Sequence, residues 1–187
     1  LFGLPEVSLG LLPGGGGTQR LPRLIGLPEA IRLLTQGLRL SPQDALKVGV
    51  LDEVVPEGAL LDAARSAILE GRAPACPPWE MPGFNVPGPS INSLDAFNLF
   101  LFANAALARN PGHSYPAPAT ILSCVWEGMR LPLDSALAVE RKRFGNLATG
   151  AVAHALIDVR FFARQQLAKR GIRKIPADHP AVLVCQN

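Results

Sequence analysis

The sequence predicts an α/β unit followed by a mostly helical region, and three features carry that expectation. Residues 1–70 mix helix signals with short strand-like apolar runs. A Pro- and Gly-rich stretch interrupts the chain over residues 71–92. Beyond it, apolar residues recur at helical spacing almost to the end. The expected organisation is a first unit over 1–70, a linker or loop over 71–92, a helical module over 93–175 and a tail or connector over 176–187.

Leu1 to Gly10 is an apolar run holding Pro5 and Glu6, in which Ser8 follows Val7 in a strand-like setting. Leu11, Leu12 and Pro13 lead into four glycines, Gly14 to Gly17, a run that continues neither strand nor helix cheaply. Leu21, Leu24 and Ile25 then resume helical spacing, so a loop feeds a helix N-terminus. Pro28 suits a first helical position and Gly37 a stop. Ser41 as N-cap, Pro42, Asp44 and Gly49 frame SPQDALKVG as a helix of under three turns. Leu51 to Val55 reads as a short strand, and Gly58 to Glu70 as an amphipathic helix offering Leu60, Leu61, Ala64, Ile68 and Leu69 for burial.

Between Gly71 and Pro89 lie six prolines and three glycines, which should interrupt regular structure. Four helices are expected after it, at about 93–109, 117–129, 132–149 and 151–170. Leu94, Phe97, Leu101 and Ala105 mark the first, and Leu156, Val159 and Phe162 the last, among Arg160, Arg164 and Lys169. The closing VLVCQN could form a strand.

With 187 residues, 48% of them hydrophobic, the chain can build one or two modest cores. Its net charge of +3 is too small a bias to point to nucleic acid. That charge is uneven: residues 1–129 hold 8 basic and 11 acidic groups, residues 130–187 hold 10 and 4. The basic end could meet phosphates or form a solvated helix face. Cys76, Cys124 and Cys185 have neither zinc-site spacing nor an even count, so no metal site is expected and a reducing, intracellular setting fits, whether cytoplasmic, peroxisomal or mitochondrial. No apolar run reaches the ~20 residues of a membrane span, and no basic leader region is seen. The chain opens on Leu1 in a stretch that already reads as structured, so its start is expected to lie upstream. His113, His154 and His179 are scattered, Ser8 is not in a GxSxG elbow, and Trp79 and Trp126 read as packing residues.

The residue that points to chemistry is Glu6. A carboxylate between Pro5 and Val7 in an apolar segment is open to desolvation, which favours the protonated form and suits acid and base work. Eight residues on, the glycine run brings backbone N–H groups and a helix start together, so the loop could hold a water, an oxyanion or a phosphate. The GxxxxGK[ST] and strand-linked GxGxxG patterns are missing, which places a water or acyl group ahead of a nucleotide.

FGLPEVSLGLLPGGGGTQRLPRLIG resembles the second active-site segment of the crotonase (enoyl-CoA hydratase/isomerase) superfamily, whose hydratases show FGxPE, a short apolar stretch and PGxGGTQRL. SPQDALKVGVLDEVVP is similar to the stretch that follows it in the family. The resemblance implies the C-terminal part of a crotonase spiral fold, with Glu6 as one of two catalytic glutamates and the Gly14 N–H holding the attacking water. It also implies an acyl-CoA thioester substrate and no covalently bound cofactor. The family's other glutamate and both thioester oxyanion donors precede the FGxPE segment, so the missing N-terminal half of the domain is an expected partner. The 187 residues alone are expected to be inactive.

More loosely, residues 93–170 resemble the helical end of the hydratase in multifunctional β-oxidation enzymes, through YPAPATIL with Tyr115, Pro116 and Pro118 and through ERKRFGNLATG with Glu140, Phe144 and Leu147. This implies a possible dehydrogenase domain or homo-oligomer as partner, with NAD required only if that domain follows. Hydratases of the family use an aromatic and a basic residue on a late helix near the CoA, for which Phe161 or Phe162 with Arg164 are candidates beside a plain packing role for the phenylalanines. An enoyl-CoA isomerase and a non-catalytic assembly module remain open as alternatives. The first needs only one carboxylate.

Overall fold

A computed structural model describes residues 1–109 and 115–169, the side chains of Arg164 and Ala168 excepted. The chain opens with β1 (Phe2–Gly3), a 3-10 turn over Pro5–Leu9, and then the glycine loop leading into α1 (Gly17–Ile25). Gly26 turns the chain directly into α2 (Leu27–Gln36), which ends on a left-handed Gly37. β2 (Arg39–Leu40) returns antiparallel to β1, pairing Phe2 with Leu40 and Gly3 with Arg39. That ladder is the whole sheet content of the described residues, so the expected α/β character is narrow here.

Next come α3 (Pro42–Lys47) and α4 (Leu60–Leu69). A long irregular stretch follows, broken only by a 3-10 turn at Pro78–Glu80. After it come α5 (Leu94–Ala108), α6 (Ala117–Gly128), α7 (Leu133–Ala148) and α8 (Ala151–Ile157). The π-helical turn Asp158–Ala163 and α9 (Arg164–Lys169) continue from α8. The four late helices therefore stand where helical spacing put them, and a widened turn inside the last is the addition. Such π turns are rare and often occur at functional positions.

Two other expectations fail for local reasons. Leu51–Val55 is not a strand, because the N–H groups of Val50 and Leu51 both turn back to the Ala45 carbonyl at the end of α3, at 2.8 and 3.2 Å. Val7 and Ser8 lie in the 3-10 turn rather than in a strand-like run. Pro5 fits its first position, and Gly10, at φ 73°, closes it by donating to the Val7 carbonyl.

One hydrophobic core joins the two ends of the sequence. Val7, Leu12, Leu27, Ile31 and Leu34 from the first 40 residues meet Phe100, Ile121, Leu122, Val125 and Leu147 from the later helices. α1 and α2 thus lie against α6 and α7, across the Pro/Gly-rich stretch. Each fully buried Leu or Ile there contributes about 1.5–3 kcal/mol. α4 takes no part: it buries no residue, and Leu61 and Leu69 are 82% and 79% exposed. Its apolar residues have helical spacing, yet nothing among the described residues covers them.

Candidate active site

Glu6 sits in the second position of the 3-10 turn. Its backbone carbonyl accepts from the Leu11 N–H at 3.1 Å, which ties the turn to the chain just ahead of the glycine loop. The residue is half-buried, and its Oε2 is shielded from solvent with no protein hydrogen-bond partner. Buried carboxylate oxygens nearly always find partners, so an unpaired one is a place for a ligand or a reacting group. Trp79 Nε1 is the other such side-chain atom among the described residues.

The glycine loop is anchored from far away in sequence. Glu140 of α7, only 1% exposed, accepts from the Gly16 N–H at 2.5 Å, the Thr18 N–H at 3.0 Å and the Thr18 hydroxyl at 2.5 Å. These donors are the start of α1, whose dipole favours an anion. The carboxylate that completes this helix end is therefore part of the protein, which leaves an external phosphate or oxyanion no claim on it. Gly16 has φ 93°, a left-handed backbone that suits glycine. Gly14 is not left-handed; the ring of Phe144 lies over it, and a Cβ there would come within 2.7 Å of Phe144 Cδ2.

The rest of the TQRLPR segment fastens α1 to α6. Gln19 Nε2 donates to the Cys124 carbonyl at 3.2 Å and to Thr18 Oγ1 at 3.0 Å. The Arg23 guanidinium donates to the carbonyls of Gln19, Gly128 and Leu131 at 2.8, 3.0 and 3.1 Å. Thr18, Gln19 and Arg23 are all buried. Burial lowers the Arg23 pKa, and burial likewise pushes the Cys124 thiol up despite its contact with the Thr18 hydroxyl. Glu140, Thr18 and Gln19 were not picked out as functional from the sequence. A signal existed: Ala136, Glu140, Phe144 and Leu147 share one face of α7, and a charge on such an apolar stripe must be bonded by something.

Phe162 and its neighbour Phe161 lie in the π-helical turn, each 49% exposed, edge to face with centroids 5.3 Å apart. Each ring is about half covered, and each packs edge to face on the other. Arg164 opens α9, but its side chain lies outside the described residues. His113, His179 and Cys185 also lie outside them; His154 is exposed on α8. A cleft of about 800 Å³ runs beside α5 and α6 along Phe97, Phe100, Leu101, Trp126 and Arg130, and neither Glu6 nor Gly14 lines it. The Arg130 guanidinium stacks 3.5 Å from the Trp126 ring centroid there. Trp126 also packs against Phe100, which bears out its structural role.

Residues 1–72 match the family Enoyl-CoA hydratase/isomerase. That stretch contains Glu6, the glycine loop and the SPQDALKVG helix. Over 171 residues, or 90% of the chain, the sequence is 40% identical to a fatty acid oxidation complex subunit alpha of Shewanella halifaxensis and 39% identical to that of Shewanella amazonensis. The similarity therefore runs well past the family segment, through α5 to α7. The chain spans about a quarter of the length of these relatives, 23% and 24%. The resemblance read from FGLPE, GGGGTQRL and the late helices is borne out. No described helix is long and apolar enough to cross a membrane.

Proposed function

We propose that this chain carries one half of an enoyl-CoA hydratase site, which adds water across the double bond of a trans-2-enoyl-CoA thioester in fatty-acid β-oxidation. The supporting observation is the shielded, unpartnered Oε2 of Glu6. In this reading Glu6 exchanges a proton with the α-carbon while the Gly14 N–H holds the attacking water. A second carboxylate and the donors that stabilise the enolate-like thioester oxygen come from the preceding half of the hydratase domain, along with the strands of the spiral. Stabilisation of that oxygen is commonly the largest contribution to such catalysis. The chain alone is then inactive.

The exposed pair Phe161 and Phe162, with Arg164, would lie against the CoA moiety, the rings on its apolar parts and the guanidinium on phosphate. Where a dehydrogenase domain follows, the helices between residues 94 and 169 would join the hydratase to it, and NAD would be that domain's cofactor.

The test is hydration of a short 2-enoyl thioester by the complete enzyme. Glu6→Gln keeps the shape but exchanges no proton, so turnover should fall about 100- to 10,000-fold. Near-normal turnover in that variant would sink the assignment. Movement of a 3-enoyl double bond without hydration by the unaltered enzyme would instead favour the isomerase.

A further inference from the structure

We propose that Glu140 is a positioning residue for the glycine loop, so that α7 works as part of the hydratase site although it lies outside the family-matching residues 1–72. This rests on the reading of Glu6 and Gly14 given above. The argument starts from the loop itself. Gly14, Gly15 and Gly16 carry no side chains, so their backbone has many conformations, and the local side chain that helps to choose one is the exposed Arg20, whose guanidinium donates to the Gly15 carbonyl at 2.7 Å. Gly16, which stands at the N-cap of α1, can offer no side-chain oxygen to that helix.

Two buried constraints at residues 14 and 16 come from α7. The Glu140 carboxylate fixes the far end of the loop through the Gly16 N–H and the Thr18 N–H and hydroxyl. One turn later, Phe144 lies on the Gly14 end and leaves no room for a Cβ. An acid and a ring four residues apart on one helix thus hold the loop at residues 14 and 16. Glu140 is itself 1% exposed and aims its oxygens at the loop, so it touches no substrate and acts through the direction in which the Gly14 N–H points. A misplacement of about 1 Å at a group that orients a reactant can cost about 100-fold in rate.

The experiment uses Glu140→Gln in the complete enzyme. The amide keeps the volume, but its nitrogen cannot accept from the donors at the start of α1. Turnover per folded molecule should fall about 10- to 100-fold with KM changed less than about 3-fold. Amide exchange at Gly16 and Thr18 should quicken while Ile121 and Leu122 in α6 stay protected. A purely structural cap would lower the thermal midpoint and leave turnover per folded molecule unchanged, and that result overturns the proposal. If Glu140→Gln does not fold, Thr18→Val carries the test, because it removes one donor of three: a loss of about 3- to 10-fold supports the proposal and unchanged turnover overturns it. Absence of turnover in the unaltered enzyme would overturn the hydratase reading and this proposal together. It is distinguished from failure of the proposal alone, in which the unaltered enzyme and Glu140→Gln turn over equally well.

Discussion

Two glutamates bring a carboxylate out of water in this molecule, and they differ in what meets it. Glu140 is 1% exposed and accepts three hydrogen bonds from Gly16 and Thr18. Glu6 is half-buried and presents a shielded Oε2 to which no protein group donates. A buried carboxylate with its donors in place is inert and holds structure together; one lacking them costs stability and keeps its capacity for chemistry. The pair teaches that burial of a charge does not mark a site. The bonding of its oxygens does.

The sharpest way to break that contrast is to neutralise each glutamate and measure two quantities. Glu6→Gln should cost the 100-fold or more in turnover argued above and leave stability within about 1 kcal/mol, because no protein donor is lost. Glu140→Ala should do the reverse in stability. It leaves the Gly16 and Thr18 N–H groups unpaired in the interior at about 1–3 kcal/mol each and takes from the Thr18 hydroxyl its charged acceptor, so a total loss of about 3 kcal/mol or more is expected in denaturant unfolding. Equal stability losses for both substitutions would remove the distinction.

Gly14→Ala probes the ground between them. The position is not left-handed, so backbone strain is not the issue. A Cβ would instead press on the Phe144 ring, and overpacking of this kind costs about 1–3 kcal/mol. Phe144→Leu should relieve part of that loss in the double variant. If the Gly14 N–H holds the reactive water, turnover per folded molecule falls as well and the double variant regains some of it. A lowered midpoint with unchanged turnover would take Gly14 out of the site and leave the loop as architecture.

How much could be read from the sequence follows from the range of each interaction. The helices between residues 94 and 169 were legible because their periodicity is local, and the family segment was legible because PE before a glycine run matches it. The strand expected at Leu51–Val55 failed where the chain enters it, because the Val50 and Leu51 N–H groups turn back to Ala45, a choice that apolarity does not encode. The exposure of α4, Phe161 and Phe162 was equally hidden, since helical spacing shows which residues share a face and not whether anything lies against it. The anchoring of the glycine loop was out of reach of motif reading, because its acceptor stands 124 residues away from Gly16.

The two helix starts at α1 and α3 put that difference into the smallest measurable effect. α3 is capped from within SPQD: the Asp44 N–H donates to Ser41 Oγ at 3.1 Å, and the hydroxyl donates to Asp44 Oδ2 at 2.7 Å. That hydroxyl, with Lys47 adding to it, holds the Asp44 carboxyl below its ordinary value. The sign follows: a lowered folded value gives stability that is present above the unfolded Asp value and is lost as pH falls through the folded one. Asp44 is exposed, so screening keeps that pH effect slight. Ser41→Ala should therefore cost about 1 kcal/mol, with most of it surviving in high salt, since the hydrogen bond to the Asp44 N–H is the larger part. The loss should also be smaller than that of Glu140→Ala by about 2 kcal/mol or more, because water can replace an exposed cap and cannot reach the donors of α1. A Ser41→Ala loss as large as that of Glu140→Ala, measured by the same denaturant titration, would mean that the buried start of α1 gains nothing from its distant carboxylate beyond what any local cap supplies.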